Sequence, residues 1–140
     1  MTGPLKIKRI EHVAICVANI DEAISRWTTL LGVGARDRQW VASQETEAAL
    51  IPLGETSLEL VTPRGNAGLQ RFLEKRGPAL HHVAIEVEDI EAALSFLKSI
   101  GVALVDESPR PGARGHKVAF VHPRATGGVL VELVESAPDG

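Results

Sequence analysis

Four side chains in this sequence pair an imidazole with a carboxylate at nearly equal spacing. His12 precedes Glu59 by forty-seven residues, and His82 precedes Glu132 by fifty. Two imidazoles and two carboxylates suit a divalent first-row metal that keeps open positions for water or substrate. Taken singly, each glutamate reads as an outward-facing charge and each histidine as a satisfied core or surface residue. Their shared setting argues for reading them together. Glu59 lies inside Leu58-Glu59-Leu60-Val61, and Glu132 inside Val131-Glu132-Leu133-Val134. A charge on an otherwise apolar strand is costly to bury unless it has a partner.

The two histidines occupy equivalent places because the chain repeats itself. Glu11-His12-Val13-Ala14-Ile15-Cys16-Val17 returns as His81-His82-Val83-Ala84-Ile85-Glu86-Val87. Asn19-Ile20-Asp21-Glu22-Ala23-Ile24 is matched by Asp89-Ile90-Glu91-Ala92-Ala93-Leu94, and Leu31-Gly32-Val33 by Ile100-Gly101-Val102. Self-similarity of this kind means that one structural unit is built twice. Equivalent residues can then meet across a pseudo-two-fold axis. His81 competes with His82 as a ligand, but it aligns with Glu11, and the register with His12 favours His82.

These elements must position the four residues. Ile10–Val17 alternates as a strand, and Asp21–Leu31 follows as a helix with Asn19 or Asp21 placed to cap it and Gly32 to stop it. Leu50–Leu53 and Ser57–Val61 read as strands around a Gly54-Glu55-Thr56 turn. Leu69–Lys75 is a short helix, and Arg76-Gly77-Pro78 breaks the chain between the halves. The second half repeats the plan, with a strand from His81, a helix over Ile90–Ser99, and strands near Val102–Val105, Lys117–Val121 and Val129–Val134. On the first strand of each half, Val13, Ile15 and Val17, or Val83, Ile85 and Val87, share a face that packs under helices. His12, Ala14 and Cys16, and His82, Ala84 and Glu86, share the other. Ile24, Trp27, Leu94 and Phe96 are expected on buried helix faces, and Trp27 and Trp40 in packing roles. The predicted fold is α+β, a single domain over 1–140 made of two tandem βαβββ modules, about 8–76 and about 79–136, that form a cupped mixed sheet.

Composition narrows the function classes. The 140 residues suit one domain, and 44% hydrophobic with 24% charged is ordinary for a soluble protein. A net charge of −3 argues against a general nucleic-acid binder, although a local basic patch for a phosphorylated ligand stays compatible with it. The single cysteine, Cys16, excludes an internal disulfide and reads as a small buried thiol. No apolar run is long enough for a membrane span, and Met1 to Lys6 lacks the apolar core of a signal peptide. A cytoplasmic chain is expected.

The chain resembles the vicinal oxygen chelate superfamily and, within it, the methylmalonyl-CoA epimerases. The resembling segments begin with Ile10–Ile15, Leu53-Gly54 with Leu58-Glu59-Leu60, and Gln70–Gly77. They continue with His81–Val87, Pro109–Ala113, Lys117–Pro123 and Thr126–Glu135. The resemblance implies a divalent cation, which could be cobalt, nickel, manganese or zinc, held by His12, Glu59, His82 and Glu132. It implies an acyl-CoA thioester substrate and interconversion of the two methylmalonyl-CoA epimers through a metal-stabilised enolate. It also makes a homodimer expected, in keeping with the need to cover exposed strand edges.

Epimerisation needs one base on each side of a planar intermediate. Glu132 could be one if it moves on and off the metal. The family usually places the other as a glutamate shortly before the Leu-Gly turn, and an ungapped alignment puts Ser43 there. Glu45 and Glu47 follow at the same strand parity and are the substitute candidates, Glu45 first. Arg110, Arg114, Lys117 and Arg124, in or beside two glycine-rich loops, are the expected cations for the CoA tail. Two alternatives stand beside the epimerase. One is another metalloenzyme of the superfamily, such as a glyoxalase I-like lyase; the other is a non-catalytic small-molecule-binding protein. The retained ligand set speaks against the binder.

Overall fold

The computed structural model describes residues 3–138. Met1 and Thr2, the start of the opening segment read above for a leader, lie outside the described residues. The chain divides into two compact units, one of His12–His81 and the other of Met1–Glu11 with His82–Gly140. The division falls inside the first strand, so the segment before His12 belongs with the second repeat.

In the His12–His81 unit, the later part of β1 (Ile7–Cys16) is followed by α1 (Ile20–Leu31), β2 (Arg36–Val41), β3 (Thr46–Leu53), β4 (Thr56–Pro63) and α2 (Ala67–Arg76). The strand order is β2-β3-β4-β1. β1 runs parallel to β4, and the other pairs are antiparallel. The Asn19 side chain accepts from Glu22 N at 3.0 Å, and Gly32 closes α1 in the left-handed region at φ 68°. A side-chain oxygen satisfies an orphan amide at one end of α1, and a residue without Cβ turns the chain at the other. Ile15, Val17, Ile20, Ala23, Ala49, Ile51 and Leu60 form the core, with Ile24 and Trp27 packed against it. The branched face of β1 therefore lies under α1, as its alternation predicts.

The second unit repeats the plan with β5 (Ala79–Val87), α3 (Ile90–Ser99), β6 (Arg110–Pro111), β7 (Lys117–Val121) and β8 (Val131–Glu135). Its order is β5-β8-β7-β6, with β5 parallel to β8. Asp89 caps α3 by accepting from Ala92 N at 3.1 Å, the counterpart of Asn19. Leu94 is buried and Phe96 packs partly against the same cluster of Val87, Ile90, Ala93, Leu97, Ala119, Val121 and Leu133. The class is α+β, with mixed parallel and antiparallel pairing in each βαβββ repeat.

Two local expectations change. Among the described residues, 102–105 forms no strand, only a single bridge from Leu104 to Val121. The amides of Val105 and Asp106 both turn onto Phe120 O, at 3.0 and 3.1 Å, which ends any ladder there. The corresponding strand is instead the two-residue β6, after which Gly112 N bonds to His116 O and the chain turns through Ala113–Gly115 into β7. In the first half, β2 is a strand that periodicity did not mark. Its Arg36-Asp37-Arg38-Gln39-Trp40 sequence is polar because it pairs only with β3, at an edge. Asp37 sits at φ 53° where the β2–β3 register shifts.

Candidate metal centre

Each unit carries half of the expected ligand set, built in the same way. On β1 and β4, Ala14 is the register partner of Glu59, so His12 stands two residues before that partner. On β5 and β8, Ala84 is the register partner of Glu132, and His82 stands two residues before it. Both alanines are fully buried, at 0% exposure. A methyl group at that point leaves room for an imidazole and a carboxylate to lean toward each other on the shared face. His12 Nε2 lies 3.4 Å from Glu59 Oε1. His82 Nε2 lies 3.2 Å from Glu132 Oε1. All four side chains are buried. Removing a histidine and a glutamate from water is costly, and it is tolerated only when the two are paired or coordinate an ion. Each half-site offers a divalent cation one imidazole nitrogen and one carboxylate, a donor set that fits first-row metals.

The surroundings of the two halves differ. On β3 the residue opposite Glu59 is Leu50. On β7 the residue opposite Glu132 is Phe120, and its ring meets His82 edge to face, with centroids 5.3 Å apart and planes at 89°. Phe120 was not singled out from sequence. The signal that could have found it is its place opposite the second glutamate on an antiparallel neighbour.

The two proposed bases separate. Residues Ala42–Gln44 form a 3₁₀ turn, and Glu45 closes it at φ 48°. The parity that related Ser43 to Glu45 and Glu47 assumed extended chain, and the turn removes it. Glu45 is exposed, with its carboxylate near the backbone of Gly65, itself at φ 111°. Glu47 lies two residues before Ala49 on the core-facing side of β3. Its carboxylate accepts from Arg38 Nε at 2.9 Å and from Arg64 Nη2 at 3.1 Å. Glu59 lies on the opposite face from Leu58 and Leu60, which pack into the core with Ala49 and Ile51. Glu47 is thus turned away from the face that carries Glu59. Arg38 also donates to Asp21, and this hydrogen bond holds the Asp21 carboxyl below its ordinary range.

The four expected CoA cations also divide. Arg114 is half-buried and clamps the buried Glu11 with two bonds, Nη2 to Oε1 at 2.9 Å and Nη1 to Oε2 at 3.3 Å. Arg110 reaches toward Asp106 at 3.5 Å and lies over the Phe120 ring. Lys117 is 3.8 Å from Glu135. Arg124 is exposed on a 3₁₀ turn, where its amide donates to His122 Nδ1 at 3.0 Å. Arg110 and Lys117 share a cavity of about 440 Å³ with Ser108 and His116. Cys16 is fully buried, and burial pushes its thiol up to about 11.

Residues 11–120 match the model of the Glyoxalase/Bleomycin resistance protein/Dioxygenase superfamily. The chain belongs to that superfamily and, within it, to the methylmalonyl-CoA epimerase family. It is 37% identical over 131 residues to the ethylmalonyl-CoA/methylmalonyl-CoA epimerase of Cereibacter sphaeroides, covering 91% of this chain and 97% of that one. The crystal structure of methylmalonyl-CoA epimerase from Mycobacterium tuberculosis superposes with a TM-score of 0.92 at 35% identity, over 99% of this chain and 94% of that one. A methylmalonyl-CoA epimerase solved in complex with methylmalonyl-CoA and NH4+ gives a TM-score of 0.89 at 27% identity, over 94% of this chain and 96% of that one.

Proposed function

We propose that this protein is a divalent-metal-dependent epimerase that interconverts (2R)- and (2S)-methylmalonyl-CoA, with His12, Glu59, His82 and Glu132 as metal ligands. The observation that carries the reading is the duplicated pair, a buried histidine against a buried glutamate around a fully buried alanine. The donor chemistry supports it, since His12, His82 and Glu132 offer two imidazole nitrogens and a carboxylate oxygen, and Glu59 adds a second carboxylate. The similar proteins named above act on, or bind, malonyl thioesters of this kind.

A bound cation, cobalt, nickel, manganese or zinc, supplies stabilisation for the negative charge that develops when C2 of the substrate loses its proton. The protein's own groups move that proton. Glu132 takes or returns it on one face of the planar intermediate, and Glu45 serves the other. Two arginines already hold Glu47, which leaves Glu45 the first choice. Arg110, Lys117 and Arg124 face the phosphates of CoA, with Arg114 fixing the loop that carries Arg110. The chain works as a homodimer in the cytoplasm. No described helix is long and apolar enough to cross a membrane.

The test is incubation of metal-loaded protein with racemic methylmalonyl-CoA in deuterated water, followed by mass analysis. One deuterium at C2 of both epimers, lost when the metal is chelated, is the expected result. A serine at the ungapped base position favours a second reading, a glyoxalase I-like lyase. Turnover of the methylglyoxal–glutathione hemithioacetal without exchange on methylmalonyl-CoA would select it.

A further inference from the structure

The two half-sites share their ligands and differ in the side chain that stands opposite the glutamate. Leu50 faces Glu59 across β3–β4, and Phe120 faces Glu132 across β7–β8. The Phe120 ring stands at 89° to the His82 ring with centroids 5.3 Å apart. It is itself held from two directions. Its amide donates to Asp106 Oδ2 at 2.8 Å, and the Arg110 guanidinium lies 5.8 Å from its ring centroid. Arg110 Nε is in turn 3.5 Å from the same Asp106 oxygen.

We infer that Phe120 is a positioning residue for His82, and that Arg110 and Asp106 hold it in place. This inference rests on the metal reading above. An imidazole turns about two side-chain bonds, and a flat neighbour at right angles blocks the second rotation while presenting a favourable edge-to-face contact. Nε2 is thereby kept aimed at Glu132 before any cation arrives. Leu50, opposite Glu59, offers no such plane. The His82–Glu132 half is thereby pre-organised for a cation. Groups that orient metal-binding histidines typically change affinity by about 10- to 100-fold when altered.

The experiment is a cobalt(II) titration of the metal-free protein, followed by visible absorption, with thermal melting of the metal-free protein alongside. Phe120→Leu makes the second half resemble the first. It should melt close to wild type, bind cobalt about tenfold more weakly and shift the visible bands. Phe120→Tyr keeps the plane and should restore both affinity and spectrum. Arg110→Gln should shift both in the same direction by less, and Arg110→Lys should restore them. Wild-type affinity and spectrum in Phe120→Leu, or a Phe120→Tyr variant as weak as Phe120→Leu, overturns the inference. If Phe120→Leu does not fold, an unchanged Arg110→Gln titration overturns it instead. A wild-type protein that binds no cobalt, zinc, nickel or manganese sinks the metal reading itself, which is a separate outcome.

Discussion

His82 and Glu132 stand on neighbouring parallel strands with Nε2 3.2 Å from Oε1, and Ala84, the register partner of Glu132, is fully buried. His12 and Glu59 repeat the relationship at 3.4 Å around Ala14. Removing one ligand from such a set removes both affinity and geometry. His12→Ala and Glu132→Ala should each retain less than about a tenth of the wild-type metal content after dialysis, with matching loss of turnover. Glu59→Gln should be milder, because an amide oxygen still coordinates. Metal analysis of the three purified variants checks this, and full metal content in His12→Ala would refute the assignment.

The alanines have their own test. Ala84 is fully enclosed at the register position of Glu132. Ala84→Val forces two extra carbons into that space, and overpacking of this kind costs about 1–3 kcal/mol. The variant should melt at lower temperature and bind metal more weakly. An exposed alanine of similar type, Ala92, should tolerate the same change without effect on metal.

For the second base, Glu45→Gln keeps shape and hydrogen bonding but cannot take a proton. It should leave metal binding intact and cut turnover by about a hundredfold, the scale of a lost general base. Glu47→Gln should keep turnover near wild type, since the Glu47 carboxylate serves Arg38 and Arg64 on the other face of β3. Deuterium incorporation measured from each enantiomer separates the two. Wild-type rates in both variants would mean that Glu132 acts alone or that the reaction is a different one.

Arg114 makes two bonds to the buried Glu11. Arg114→Ala leaves a buried carboxylate without its guanidinium partner, a change that typically costs about 3–5 kcal/mol. Denaturant unfolding should show it. A loss confined to substrate affinity, with stability unchanged, would return Arg114 to the group of CoA contacts.

Cys16 should resist a thiol reagent at pH 8 in the folded protein and react once urea unfolds it, because burial raises its pKa from 9.0 to about 11. Between those values the unfolded chain gives up the thiol proton and the folded chain keeps it. The stabilisation is therefore complete below 9.0 and declines as pH rises toward about 11. Rapid labelling of the native protein would contradict the buried placement.

The amino-acid sequence by itself determined the repeated βαβββ plan, a helix capped at Asn19 or Asp21, and the four metal-ligand candidates. Those follow from short-range rules. Alternation sets which strand face is apolar, Asn19 satisfies a helix amide three residues on, and a duplicated pattern marks equivalent places in each half. Only the tertiary structure decided the rest. Glu45 and Glu47 lost their common face because a 3₁₀ turn interrupts the strand before them, and no local pattern announces that turn. The 102–105 segment reads as a strand in hydrophobicity, yet the Val102 amide turns back onto Leu97 O and the Val105 amide is drawn to Phe120 O, fifteen residues later. Arg114 looks like a loop cation until Glu11, 103 residues away, claims it. Phe120 and Leu50 are ordinary strand residues until pairing sets each opposite a glutamate. The last three depend on pairing between distant parts of the chain, which sequence neighbours do not reveal.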